Sequence, residues 1–150
     1  MKLPKGITGL RTINDGLNIG TFSVSLLKDS LYPAEYTGRF RIGDFKNEIA
    51  IYRSFHRLPV LDKRNNELFD ILMHTSYPYY CGVQSDTLIF IDLPEEITSV
   101  ANPDFTYLSA AELHAKYTKD DLTELAEIEL KEIRYWRPEN VGEIVFNYFD

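Results

Sequence analysis

Cysteine occurs once in these 150 residues, at Cys81, so no intrachain disulfide can form and a disulfide framework is excluded. No C-x-x-C and no H-E-x-x-H occurs, and the three histidines, His56, His74 and His114, never pair at four-residue spacing. No metal site and no cofactor is therefore expected. Glycine is too scattered for a phosphate cradle. There is no G-x-G-x-x-G and no G-x-x-x-x-G-K-[ST], and Gly6, Gly9, Gly16 and Gly20 precede any clear strand. They read as turn residues. Long hydrophobic runs are missing too: Leu88-Ile89-Phe90-Ile91 is the longest and stops at Asp92, whereas a membrane span needs about 20 apolar residues. No apolar stretch follows the first lysines, so a cytoplasmic, non-secreted protein is expected.

What is present suits a folded domain. The chain is 44% apolar and 13% aromatic, too rich in both for a disordered chain. Its length predicts a single domain over residues 1–150. The net charge is −7, distributed unevenly. Residues 1–90 hold 11 basic and 9 acidic side chains, net +2; residues 91–150 hold 5 and 14, net −9. An acidic third repels nucleic acid and attracts basic partners. Arg39, Arg41, Arg53, Arg57, Lys63 and Arg64 gather between residues 39 and 64 among Phe40, Tyr52 and Phe55. In an acidic chain they are better placed to pair with carboxylates across the domain than to bind nucleic acid.

The hydropathy pattern divides the chain. Thr21–Leu27 and Asn47–Phe55 alternate as strands do. Leu58–Leu61 is a short strand whose Pro59 argues for an edge position. Asp62–Asn66 is a polar turn, Glu67–His74 a further strand, and Tyr77–Val83 with Thr87–Leu93 a hairpin closed by Gln84-Ser85-Asp86. The last third takes a helical period. Ser109 and Glu112 form a capping box, Thr118–Asp121 starts a second helix, and Leu122, Leu125, Ala126, Glu129, Ile133 and Trp136 form its stripe. Pro138 opens a third helix whose Val141, Ile144, Val145, Tyr148 and Phe149 face the core, with Trp136 mostly buried beside them. The expected fold class is α+β: an antiparallel sheet from residues 20–93, packed on one face by C-terminal helices at about 109–117, 119–135 and 139–148.

The tail from Ile133 to Asp150, with Tyr135-Trp136-Arg137-Pro138, then Gly142-Glu143-Ile144 and a closing Tyr148-Phe149-Asp150, resembles the closing segment of small bacterial proteins that look like immunity proteins of polymorphic toxin systems. It covers 18 of the 150 residues. The resemblance implies a non-catalytic protein that binds one toxin domain and blocks its active site. The acidic last third suggests how: Asp120, Asp121, Glu124 and Glu127 on the second helix imitate phosphates in a cationic cleft, with Tyr117 as an aromatic anchor. The expected partner is a basic protein such as a cognate toxin, with no nucleic acid and no membrane. Two alternatives stay open. One is a small hydrolase using Cys81 with His74, although the aromatic setting Tyr79-Tyr80-Cys81-Gly82 offers no charge to activate a thiol. The other is the structural subunit of a homo-oligomer such as a homodimer, since ten tyrosines and nine phenylalanines are many for one core of this size.

Overall fold

The computed structural model describes residues 1–9, 23–46 and 53–149. Five strands form a continuous antiparallel ladder in chain order: β1 (Arg41–Ile42), β2 (Phe55–Leu61), β3 (Glu67–His74), β4 (Tyr79–Val83) and β5 (Phe90–Ile91). A sixth strand, β6 (Thr106–Tyr107), pairs in parallel with Tyr79 and Tyr80 of β4, while β5 pairs with Gly82 and Val83 of the same strand. The sheet is thus mixed rather than purely antiparallel. Among the described residues the helices are α1 (Val24–Leu31), α2 (Glu95–Thr98), α3 (Ala110–His114), α4 (Glu127–Trp136) and α5 (Val141–Val145), with 3-10 turns at Tyr32–Thr37 after α1 and Asp120–Leu122 before α4. The class is α+β.

Strand alternation sends side chains to two separate cores. Phe55, Leu72, Cys81 and Val83 face one side, covered by Leu3 and Ile7 of the N-terminal segment and by Leu113, Leu125, Ile133, Ile144 and Phe146. Leu58, Val60, Ile71, Met73 and Tyr80 face the other, covered by Leu27 and Leu31 of α1 and by Ile97 of α2. Helices therefore cover both faces of the sheet, not one. The second cover comes from residues expected to be a strand. In Thr21–Leu27 the alternation of Val24 and Leu26 competes with an i, i+4 stripe through Leu27 and Leu31, and burial of both leucines against the sheet decides for a helix. Residues 21–22 and 47–52 lie outside the described residues; of the expected strand at Asn47–Phe55, Arg53 and Ser54 are not in a strand and Phe55 is the first residue of β2.

Pro59 is not on an edge strand. It sits within β2 opposite Asp70 of β3, and its carbonyl accepts from Gly43 N on the other side. Having no N–H, it cannot return a bond toward Gly43, and β1 ends one residue earlier, at Ile42. The polar turn Asp62–Asn66 closes β2 to β3 as expected. Asp62 Oδ1 accepts from Arg64 N and Asn66 N, and Asn65 takes a φ of 64°. The next hairpin also forms, with Gln84 N donating to Ile89 O, but its second strand begins at Phe90 rather than Thr87, so its loop is longer than Gln84-Ser85-Asp86.

The C-terminal helices are shorter than their periodicity suggests. The Ser109 capping box is present, with Glu112 N donating to Ser109 Oγ and Ser109 N to Glu112 Oε1. Its helix stops at His114, short of residue 117. The stretch expected as one helix over 119–135 is a 3-10 turn, a break at 123–126, and then α4. Pro138 lies before α5 rather than in its first turn. Asn140 caps that helix, accepting from Glu143 N at 2.9 Å. Trp136 is 42% exposed instead of buried, with its ring parallel to Phe149 at 6.1 Å.

Candidate functional site

The break before α4 has a specific cause. Glu129 stands at the third position of α4, where its carboxylate suits the positive end of the helix dipole, and it is fully buried. Its Oε2 accepts from Ala126 N at 2.9 Å, which starts the helix there, and also from Gly6 N at 3.0 Å. Its Oε1 accepts from Thr8 N at 3.2 Å and Thr8 Oγ1 at 2.7 Å. A buried carboxylate needs such compensation. The only acid inside the expected apolar stripe is therefore the clasp that holds the N-terminal segment to α4.

Two further buried polar sets are fully engaged in structure. His74 Nδ1 faces two donors, Ser76 N and Tyr77 N, both at 3.0 Å, so Nδ1 accepts and Nε2 carries the proton, donating to Ile7 O at 2.6 Å. Asn147 donates through Nδ2 to Thr8 O and Ile144 O and accepts from Phe149 N. Cys81 shares the face of Leu72, is fully buried, and burial pushes its thiol well above the ordinary value. A thiol held protonated in a sealed core and an imidazole with both nitrogens bound to backbone do not make a nucleophile and its base. The arginines pair inside the fold in part: Arg57 Nη1 lies 2.8 Å from the fully buried Asp70, and Arg39 lies 2.8 Å from Glu96 of α2. Among the described residues no group of three or more His, Cys, Asp and Glu side chains is placed to hold a metal ion. None of the described helices is long and apolar enough to cross a membrane.

The five residues expected to bind a partner do not share one helix. Asp120 and Asp121 lie in the 3-10 turn, Glu124 in the break, and Glu127 at the start of α4. Asp120, Glu124 and Glu127 are exposed, and none makes an ion pair among the described residues. Asp121 is engaged: its Oδ2 accepts from Thr118 N at 2.8 Å and its Oδ1 lies 3.5 Å from the Met1 ammonium. The Thr118 amide, and then the ammonium charge, hold its carboxyl below the usual range. Tyr117 is no free anchor. Its hydroxyl donates to Pro138 O at 2.7 Å, its ring packs on the first core, and burial raises its phenol.

Exposed aromatics lie at the other end of α4. Tyr135 is 75% exposed and continues the outward face of Glu127 and Lys131. Its distance from the stripe of Glu129 and Ile133 was the available signal for it: two residues from Ile133, about 200° around the helix, an aromatic among charged positions. Beside it two adjoining hollows of about 280 and 310 Å³ share Trp136 and Phe149 as common walls. At the far edge of the sheet a third hollow of about 420 Å³ gathers Arg39, Lys63 and Arg64 around Phe40 and Leu68.

The tail that carries the resemblance mostly builds the fold: Gly142 lies against Phe90, Pro138 accepts from Tyr117, and Asn147 ties the chain to Thr8. Comparison with known proteins finds no matching family model, no matching curated protein and no matching solved structure.

Proposed function

We propose that this chain is a non-catalytic, cytoplasmic binding protein of the immunity type, which inhibits a basic toxin domain by occupying its cationic cleft. The observation that carries the reading is the surface from Asp120 to Glu127, where three exposed carboxylates have no ion pair among the described residues. They belong to the third of the sequence whose net charge is −9. Unpaired surface carboxylates in an acidic field speed encounter with a cationic partner. The resemblance of the tail supports the same reading, as does the structural engagement of Cys81 and His74. Asp121 adds charge while holding its turn.

The test is capture of partners from the native host, followed by association kinetics at two salt concentrations. Expected is a basic protein whose association slows as salt rises, because exposed charges are screened beyond about 8 Å at physiological ionic strength. Asp120→Asn, Glu124→Gln and Glu127→Gln together should lower the on-rate more than they raise the off-rate, and leave the fold intact. Capture of no basic partner, together with turnover of a small metabolite by the purified protein, overturns the proposal.

A further inference from the structure

The two hollows at the C-terminal end of α4 combine aromatic walls with carboxylates. The Trp136 ring lies parallel to Phe149, with an interplanar angle of 4°, and Tyr135 stands edge-on to Trp136 at 5.2 Å. Glu132 lines one hollow and Glu143 the other. Glu132 Oε2 accepts from Trp136 Nε1 at 2.9 Å, which fixes the indole, and Glu143 Oε2 accepts from Glu139 N at 2.6 Å. The second oxygen of each carboxylate makes no hydrogen bond among the described residues. Lys131 lines the first hollow but forms no ion pair with Glu132.

A purely apolar occupant would strip water from both carboxylates and give nothing back. A phosphate would be repelled. A guanidinium satisfies both kinds of wall: its planar face stacks on an aromatic ring while its edge N–H groups reach a carboxylate. We infer that these hollows receive arginine side chains of a basic partner protein, seated against Trp136 and hydrogen-bonded to Glu132 and Glu143. The inference rests on the reading of the chain as a binder of a basic protein, and it adds a second contact at Trp136, about 13.5 Å along α4 from Glu127.

Trp136 is the chain's only tryptophan, so its fluorescence reports on this place alone. The probe is a blocked tetra-arginine peptide, with the tetra-citrulline peptide as its uncharged isostere. Expected is a saturable change in Trp136 emission with the arginine peptide and none with citrulline. Glu132→Gln with Glu143→Gln should weaken binding about tenfold, and the amide oxygen introduced by Glu132→Gln still accepts from the indole N–H. An equal response to both peptides, or unchanged affinity in the double amide variant, overturns the inference. Failure of the proposed function is a separate result, the capture of no basic protein from the host. A captured basic partner that binds the wild type and the Tyr135→Ser, Glu132→Gln, Glu143→Gln variant equally well overturns this inference and leaves the proposed function in place.

Discussion

Removing the negative charge from Glu129 tests whether one buried carboxylate organises the join between the two ends of the chain. In Glu129→Gln, one acceptor oxygen becomes an amide nitrogen bearing hydrogens. If the amide oxygen takes the place of Oε2, Gly6 N and Ala126 N keep their acceptor. On the other side the Thr8 hydroxyl can turn to accept, but Thr8 N faces another donor and loses its bond to Glu129. Taking the acceptor from a buried N–H costs about 1–3 kcal/mol. Loss of the charge at the N-terminus of α4 adds roughly 0.3–1 kcal/mol, so the variant should lose about 3 kcal/mol in all. Glu129→Ala removes the acceptor for four donors at once and leaves a void, so it should cost more, about 4–5 kcal/mol, a large share of the 5–15 kcal/mol typical of a domain.

Urea unfolding followed by Trp136 fluorescence measures the effect. With a slope of about 2 kcal/mol per molar urea, a 3 kcal/mol loss moves the midpoint down by about 1.5 M. Thr8→Val, which takes away the hydroxyl, should cost about 1 kcal/mol alone. Combined with Glu129→Gln it should cost less than the sum, because both changes act on Oε1. Hydrogen exchange should show the amides of Gly6 and Thr8 losing protection before those of β3, since the N-terminal segment loses its tie first. A Glu129→Gln midpoint within about 0.3 M of wild type at unchanged slope, well under the expected shift, would refute the reasoning and show that the packing of Leu3 and Ile7, with the bonds from His74 and Asn147 to Ile7 O and Thr8 O, holds the segment without the carboxylate.

Two further outcomes follow from packing and burial. Gly142→Ala should destabilise even though alanine is the better helix former by about 1 kcal/mol. A Cβ there would overlap the edge of the Phe90 ring, and that ring is held between His114 and Phe146, so overpacking outweighs propensity; a melting temperature lower by several degrees is expected, and an unchanged or raised one contradicts the packing. Burial pushes the Tyr80 phenol up to about 12, so between pH 10 and 12 the unfolded chain releases a proton that the folded chain retains, and stability must fall as pH rises through that window. Denaturant midpoints across the same range should fall less steeply in Tyr80→Phe, and an identical slope in both proteins would contradict the buried phenol.

The parts of this structure legible in the sequence are those decided locally. The Asp62–Asn66 turn, the hairpin at Gln84–Asp86 and the Ser109–Glu112 capping box each depend on bonds spanning a few residues, and each forms. The misread parts depend on distant partners. Val24–Leu31 becomes a helix because Leu27 and Leu31 find the second face of the sheet, a face that strand alternation alone leaves without a cover. The helix expected over 119–135 divides because Glu129 bonds to Ala126, Gly6 and Thr8, residues up to 123 positions away. Trp136 belongs to the apolar period, yet it stays 42% exposed, its ring parallel to that of the buried Phe149.

The same non-locality governs the candidate site, because a carboxylate's letter does not reveal its employment. Glu129 and Asp70 are buried and bonded, Asp121 holds a turn, and Asp120, Glu124 and Glu127 face water with no ion pair among the described residues, all within a chain of 23 acids. Charge counts alone treat Asp121 and Glu124 as equals, and the helix expected over 119–135 puts both on one element, which in the structure divides. Two groups of acids are the ones proposed to meet a partner: the exposed trio running into the start of α4, and Glu132 with Glu143 beside the Trp136–Phe149 stack. The first offers charge without shape, which suits steering an encounter. The second offers a concave aromatic surface with open carboxylate oxygens, which suits retaining what arrives. If both act on one partner, amide substitution in the first group should appear in the association rate and its salt dependence, and substitution in the second should appear in the dissociation rate. A reversal of those two assignments in the measured kinetics would show that the division between steering and anchoring is wrong.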